Sequence, residues 1–443
     1  MNSKPCRKPF GLLLIAVVLL LTVSTPLQGI IMFPDHIRLS QGQLQEIKPA
    51  LPFTTYVKSA QEGILEVQGR DLSNGWKIVP GAPLTVTPHQ VGSTVLEMRL
   101  FGFIPWRRVV VDVVPRINVV PGGHSIGVLV RSSGLLVVGY ADLATESGTV
   151  ASPSRQAGIK QGDLILRANG QILITIEQLT SIVQHSGHKQ NPVRLTIQRA
   201  GRQLHLQVKP VQGQDDIFRL GLYVKDGSAG VGTLTFYDPE TKTYAALGHP
   251  IVGEQSEEPL PVRSGRIVKA SISGIQEGVA GVPGEKIGVF KAQTEFSGTI
   301  EQNTIFGISG HLQERPREHC IAHPVPIALA TEVHTGPAEI ITVLQGDRPE
   351  RYAVEISRVY QQQQPAGKGL IIKVTDERLL QKAGGIVQGM SGSPIIQDGR
   401  LVGAVTHVMV NDPTRGYGVF IEWMVRECGL WQDNIFGEGA AAS

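Results

Sequence analysis

Cysteine is scarce in this chain. The three residues, Cys6, Cys320 and Cys428, among 443 are too few and too scattered for a disulfide framework, although export would permit a single bridge. Redox chemistry is not indicated. Aromatic residues are also few, at 5%. An excess of one charge is missing too, since 41 Lys and Arg face 38 Asp and Glu for a net +3. No basic run with interleaved aromatics is present of the kind that tracks a phosphate backbone, so nucleic acid is not an expected partner. Metal-ligand spacing is absent as well: His319, Cys320 and His323 sit between Pro316 and Pro324, and neither HExxH nor paired CxxC occurs. No metal and no cofactor is expected.

What is plentiful is glycine, 51 residues, with 41% hydrophobic content. Short apolar runs punctuated by Gly and Pro suit several β domains. At the N-terminus Lys4, Arg7 and Lys8 precede the apolar run 10–23, the pattern of an export signal. The apolar stretch resumes over 27–33 and no A-x-A site is evident, so residues 1–33 read as a signal peptide or, preferably, an uncleaved signal anchor. Residues 34–116 alternate apolar and polar positions, as at Leu96, Met98 and Leu100 or Val109, Val111 and Val113. A small β-sandwich follows from that period, with Trp106 as a packing residue.

Residues 117–210 resemble a PDZ domain. Ser125-Ile126-Gly127-Val128 stand where that family has its carboxylate-binding loop, and Ala157-Gly158-Ile159-Lys160-Gln161-Gly162-Asp163-Leu164-Ile165 with Asn169-Gly170 resemble its short helix, buried strand and turn. Thr175 with Gln178 forms a capping-box pattern ahead of a helix whose apolar face is Ile176, Leu179, Ile182 and Val183. The expected chemistry is β-augmentation, a peptide adding as a strand beside residues 126–130. A polar linker near 211–216 leads into a last domain, 217–433, and a tail, 434–443, expected to be disordered.

In that last domain Gly389-Met390-Ser391-Gly392-Ser393-Pro394 reads as the nucleophile loop of a chymotrypsin-like serine protease. Glycines let the backbone turn so that the N–H groups of Gly389 and Ser391 converge on an oxyanion. A serine needs a base, and the base an orienting group. His249, in a Gly/Pro turn early in the domain, is where the order His, Asp, Ser places the base. Between it and Ser391 stand two aspartates, Asp347 and Asp376. Asp347 falls in an exposed turn; Asp376 follows a strand pattern and is chosen, against the competing reading that it caps the helix starting Glu377-Arg378-Leu379-Leu380. Ser309, in Gly307-Ile308-Ser309-Gly310, lacks the following Pro. Ser393 reads as a small packing residue, and His407 as a pocket or core residue.

Together with Phe101-Gly102-Phe103-Ile104-Pro105, Val120-Pro121-Gly122-Gly123, Gly232-Thr233-Leu234-Thr235-Phe236-Tyr237-Asp238-Pro239, Leu247-Gly248-His249, Pro283-Gly284-Glu285-Lys286 and Asn411-Asp412-Pro413-Thr414, these residues resemble the stage IV sporulation protein B peptidase family of endospore-forming bacteria. The resemblance implies a self-cleaving serine endopeptidase with His249, Asp376 and Ser391 catalytic. It implies export across the forespore membrane into the intermembrane space, membrane-anchored or secreted, and cleavage of a membrane-bound inhibitor of an intramembrane protease that activates a late sigma factor. Pro250 departs from the small aliphatic residue expected after the His. The fold expected is mainly β: an N-terminal membrane segment, a small β-sandwich, a PDZ domain and a chymotrypsin-like double β-barrel. The rival from another class is a non-catalytic PDZ adaptor binding a membrane partner.

Overall fold

The computed structural model describes residues 35–47, 53–80, 84–253, 258–290, 296–362 and 364–431. The expected signal or anchor, 1–33, and tail, 434–443, lie outside the described residues. Among the described residues no helix is long and apolar enough to cross a membrane. The chain is mainly β and divides into two compact units, whose described parts are residues 35–117 and 118–431.

In the first unit a five-stranded sheet runs in the order His36–Ser40, Ile104–Val114, Gly92–Leu100, Thr55–Ser59, Trp76–Ile78, and a four-stranded sheet is built on Leu84–Pro88. Its core joins Leu39, Val57, Leu65, Met98, Val109 and Val111, with Trp106 packed against it. The period-2 pattern read from the sequence puts these side chains on one face.

The second unit holds the site. Six strands close a barrel in the order Gly336–Thr342, Glu350–Val359, Leu370–Val374, Asp412–Phe420, Arg400–Met409, Pro394–Gln397. Along Glu350–Val359 the side chains of Tyr352, Val354 and Ile356 are buried while Arg351, Ala353 and Glu355 face out, the alternation a barrel wall requires. Beside it stands a half-barrel built on Ser125–Tyr140, Leu222–Tyr237, Thr243–Leu247, Val262–Gln276 and Gly307–His311, filled by Ile126, Val128, Leu234, Tyr244, Ile267 and Phe296.

Ser125–Tyr140 and Leu222–Tyr237 are each sixteen residues long and pair antiparallel from Ser125↔Thr233 to Tyr140↔Leu222. This corrects one expectation. Ser125, Ile126, Gly127 and Val128 are buried at the start of a strand whose one edge pairs with Leu222–Tyr237 and whose other pairs with Val262–Gln276. With both edges taken, no peptide can add beside them.

The far ends of the two long strands carry a smaller module. It contains Leu164–Ala168, the helix Ile176–His188, Val193–Arg199 and Arg202–Val208, packed around Leu135, Ile159, Ile165, Leu179, Val183 and Ile197. The helix starts as its sequence dictates: the Thr175 side chain accepts from the Gln178 N–H, and Gln178 Oε1 accepts from the Thr175 N–H. The segment expected as a linker folds back as paired strands, Val211–Gln212 with Phe218–Arg219. Phe218 then bonds both ways to the Gln184 side chain on the helix, at 2.7 and 3.1 Å.

Candidate active site

Ser391 lies in the loop entering the barrel strand Pro394–Gln397. Gly389 (φ 89°) and Gly392 (φ 94°) occupy left-handed conformations that other residues adopt at a cost. At Gly392 there is a second requirement: a Cβ there would lie 2.1 Å from the Thr233 carbonyl oxygen and 2.5 Å from Leu247 N. The loop is therefore pressed against the half-barrel at the residue two before His249.

Its backbone is held from several directions. Thr233 donates its N–H to Ser391 O (2.9 Å) and its hydroxyl to Gly389 O (2.8 Å). Met390 N–H reaches Val387 O, Gly392 N–H reaches Val405 O, and Ser393 N–H reaches Met390 O. Two amides are left over. Among the described residues the N–H groups of Gly389 and Ser391 have no hydrogen-bond partner, although both residues line the cavity beside the loop.

Beneath the loop lies Lys286, 1% exposed. Its N–H donates to Gln388 O (3.0 Å), and Gln388 N–H to Gly284 O (2.8 Å). Its ammonium has one polar partner, Thr342 Oγ1 at 2.8 Å, which also accepts from Ser393 Oγ at 3.1 Å. Burial without a counter-charge lowers the Lys286 pKa to about 7.

His249 follows the strand Thr243–Leu247 through two left-handed residues, Leu247 (φ 72°) and Gly248 (φ 71°). The first is a buried, non-glycine residue, and such a conformation persists where packing over-determines it. Here the Gly392 loop packs on Leu247, and Thr406 Cγ2 and Val419 Cγ1 approach Gly248. Beyond the turn, Asn303 accepts from the Ile251 N–H (2.8 Å) and donates to the carbonyls of Ile251 and Leu260. His249 Nδ1 bonds to the Pro250 carbonyl at 2.8 Å. A carbonyl only accepts, so Nδ1 carries the proton and Nε2 keeps its lone pair. Burial lowers the His249 pKa below its usual value, outweighing that bond.

Ser391, His249 and His407 line one cavity of about 480 Å³, and the two imidazole rings lie 4.8 Å apart. Ser391 Oγ donates to Thr406 O at 2.7 Å, the carbonyl just before His407. Asp376 is not brought there. It caps the helix Glu377–Ala383: Oδ1 accepts from the Arg378 N–H (3.0 Å) and Nε (3.1 Å), and Oδ2 from Arg378 Nη2 (2.9 Å) and the Ala353 N–H (3.2 Å). The Arg378 bonds hold its carboxyl below the usual range. The expectation that Asp376 orients His249 is corrected by this geometry, since both its oxygens serve the cap and Arg378 and it does not line the cavity. Asp347 pairs with Lys269 at 2.9 Å and does not line it either. No carboxylate does, among the described residues.

The other candidates have ordinary partners. Ser309 Oγ donates to Gln302 Oε1 within the half-barrel, Cys320 Sγ bonds to Pro349 O, and His319 packs against His124. Sequence reasoning missed Thr233, Asn303 and Thr342 as residues holding the site. Thr233 and Lys286 stand inside motifs the family resemblance includes, whereas Asn303 and Thr342 carry no local signal.

A second cavity, of about 740 Å³, runs along the helix Ile176–His188 between Leu179, Thr180 and Val183 on one side and Leu222 and Val224 on the other.

Comparison with known proteins gives the following. Residues 216–425 match the family described as SpoIVB peptidase S55. No curated protein matches the chain significantly. Among solved structures, the crystal structure of the Rv3671c protease in an inactive form is similar with a TM-score of 0.27 and 13% identity, covering 45% of this chain and 84% of that one.

Proposed function

We propose that the chain, whose residues 216–425 match the SpoIVB peptidase S55 family, is a serine peptidase with Ser391 as its nucleophile and His249 as its general base. One observation carries this reading: a serine from the closed barrel and a histidine from the half-barrel line one cavity beside two amides, of Gly389 and Ser391, that nothing else uses. The two barrels are read as the halves of a chymotrypsin-like peptidase.

Ser391 Oγ leaves the Thr406 carbonyl and attacks the peptide carbonyl carbon while His249 Nε2 takes its proton. The C=O π bond becomes an oxyanion at the Gly389 and Ser391 N–H groups. The imidazolium then protonates the departing amine as the C–N bond breaks, and water, activated by the same nitrogen, hydrolyses the acyl-enzyme. The Pro250 carbonyl holds the tautomer in which Nε2 can accept, the role expected of Asp376. Burial keeps His249 neutral at neutral pH, so it enters the reaction as a base.

The smaller module is read as PDZ-like, with its peptide groove displaced from residues 125–128 to the edge Leu222–Val224. One side of residues 222–224 pairs with 137–140; the other faces the helix Ile176–His188 across the second cavity, and no strand pairs with that side among the described residues. The biology implied by the family belongs to the same proposal: the chain cleaves itself and a membrane-bound inhibitor during sporulation, after export across the forespore membrane. The basic and apolar N-terminal sequence supports export and membrane association.

A fluorophosphonate probe tests the chemistry. Labelling at Ser391 that His249→Ala abolishes is the expected result; an unlabelled protein points to the PDZ adaptor instead. N-terminal sequencing of the mature protein from the producing cell tests export and self-cleavage.

A further inference from the structure

The walls of the Ser391 cavity are mostly aliphatic, with Ser228, Gln388 and Thr406 as uncharged polar members. Val231 and Leu247 come from the half-barrel, Ile386 and Val387 from the approach to the nucleophile loop, and Val408 and Val410 from the segment after His407. Among the described residues lining it there is no Asp, Glu, Lys or Arg, and the titratable groups are His249 and His407 alone. Both are held neutral near pH 7, His249 by burial and His407 by burial and its proximity to His249.

The apolar surface continues out of the cavity. Val410 is 48% exposed at its mouth, and its carbonyl accepts the Gly281 N–H at 2.8 Å from a turn whose Val279 and Val282 are 55% and 54% exposed. A cluster of exposed aliphatic side chains joined to a cleft marks a surface that is covered in use.

We infer that the substrate of this site is an extended peptide segment carrying uncharged aliphatic side chains next to the scissile bond, and that the cleft discriminates against acidic and basic residues there. The inference rests on the reading of Ser391 as nucleophile. Its physical basis is a difference in desolvation. A Val or Leu side chain leaves water for aliphatic walls at a gain, whereas a carboxylate, ammonium or guanidinium entering the same walls meets no opposite charge and loses its hydration. The same walls select aliphatic segments of an unfolded or membrane-proximal chain over the charged surface of a folded protein.

A matched series of peptidyl diphenyl phosphonates tests this on the full-length chain, with Val, Leu, Lys or Glu on the carbon bearing the phosphorus, beside a plain alkyl fluorophosphonate that carries no side chain. The expected result is labelling of Ser391 by the plain probe and reaction of the Val and Leu phosphonates at least about 30-fold faster than the Lys and Glu ones, the ratio of about 2 kcal/mol in barrier height. Val410→Asp, at the mouth of the cavity, should bring the Lys phosphonate to within about threefold of the Val one. Plain labelling with no aliphatic preference, including no reaction of any phosphonate, overturns the substrate class and leaves the nucleophile standing. Absence of plain labelling overturns the nucleophile and the substrate class together.

Discussion

Replacing Lys286 with Met should stabilise this protein, by an amount that depends on pH in a calculable way. The side chain is 1% exposed and, among the described residues, its ammonium meets only the Thr342 hydroxyl. Desolvation lowers its pKa from the ordinary 10.5 to about 7. At about 1.4 kcal/mol per tenfold change in proton affinity, that gap corresponds to about 5 kcal/mol against folding with the group charged. At pH 7 and below, folded and unfolded chains both hold the proton and the penalty is complete. Between pH 7 and 10.5 the unfolded chain is protonated while the folded one is not, so wild-type stability rises by up to about 1.4 kcal/mol per pH unit until the penalty is gone. Methionine keeps the stem on which Gly389 rests and has no charge to desolvate. It forgoes the bond to Thr342, about 1 kcal/mol, leaving a net gain of about 4 kcal/mol at pH 7 that fades by pH 10. Thermal unfolding of both full-length proteins at pH 6, 7, 8 and 9 reads the difference, with the Met variant higher by several degrees at pH 7 and the gap closing as pH rises. Equal melting at pH 7, or parallel pH dependence, would refute the view of Lys286 as a buried ammonium without a counter-ion.

Three further outcomes follow from the site. Asp376→Ala should remove a helix cap, costing about 1 kcal/mol of stability, and leave kcat/KM within about tenfold of wild type, while His249→Ala lowers it by more than about a thousandfold; equal damage from the two would restore Asp376 to the catalytic group. Gly392→Ala should abolish labelling of Ser391, because its Cβ meets the Thr233 carbonyl and Leu247 N at 2.1 and 2.5 Å. Gly399→Ala, at a similar φ with nothing within 4 Å, should cost only about 1–2 kcal/mol of stability. Because burial lowers the His249 pKa, its neutral, active form extends to lower pH: kcat/KM should rise with pH through a midpoint below 6.5, and a midpoint above 6.5 would contradict the placement of that ring.

The Ser391 loop and the His249 turn were legible because their requirements are local. Gly389 and Gly392 are needed for the backbone of their own loop, and His249 stands in a Gly/Pro turn at the end of an apolar run. The capping box at Thr175 and Gln178 was legible for the same reason. Asp376 shows the limit of chain order: Asp-Glu-Arg-Leu-Leu is a complete cap signal by itself, and the Arg378 fork and the Ala353 N–H complete its satisfaction. Order along the chain says nothing about which side of the barrel such a helix starts on. The expectation of a peptide strand beside residues 126–130 fails for a related cause: strands about 100 and 140 residues further on occupy both edges of the strand that Ser125-Ile126-Gly127-Val128 begin.

The conformation of the Ser391 loop is therefore not a property of its six residues. Its carbonyls at 389 and 391 are aimed by Thr233, its approach at 388 is clamped by 284–286, its floor is the Thr342 hydroxyl shared with Ser393, and its exit is tied to Val405. These contacts hold the loop out of an ordinary turn, and among the described residues they leave the two amides of Gly389 and Ser391 without a partner. A Gly/Ser turn with the same sequence but without Thr233 and Lys286 behind it would satisfy those amides internally or with water, at a cost of reorganisation each time charge developed on a substrate. What separates this loop from an ordinary turn thus lies in residues 50 to 160 positions away, in the strands that hold it.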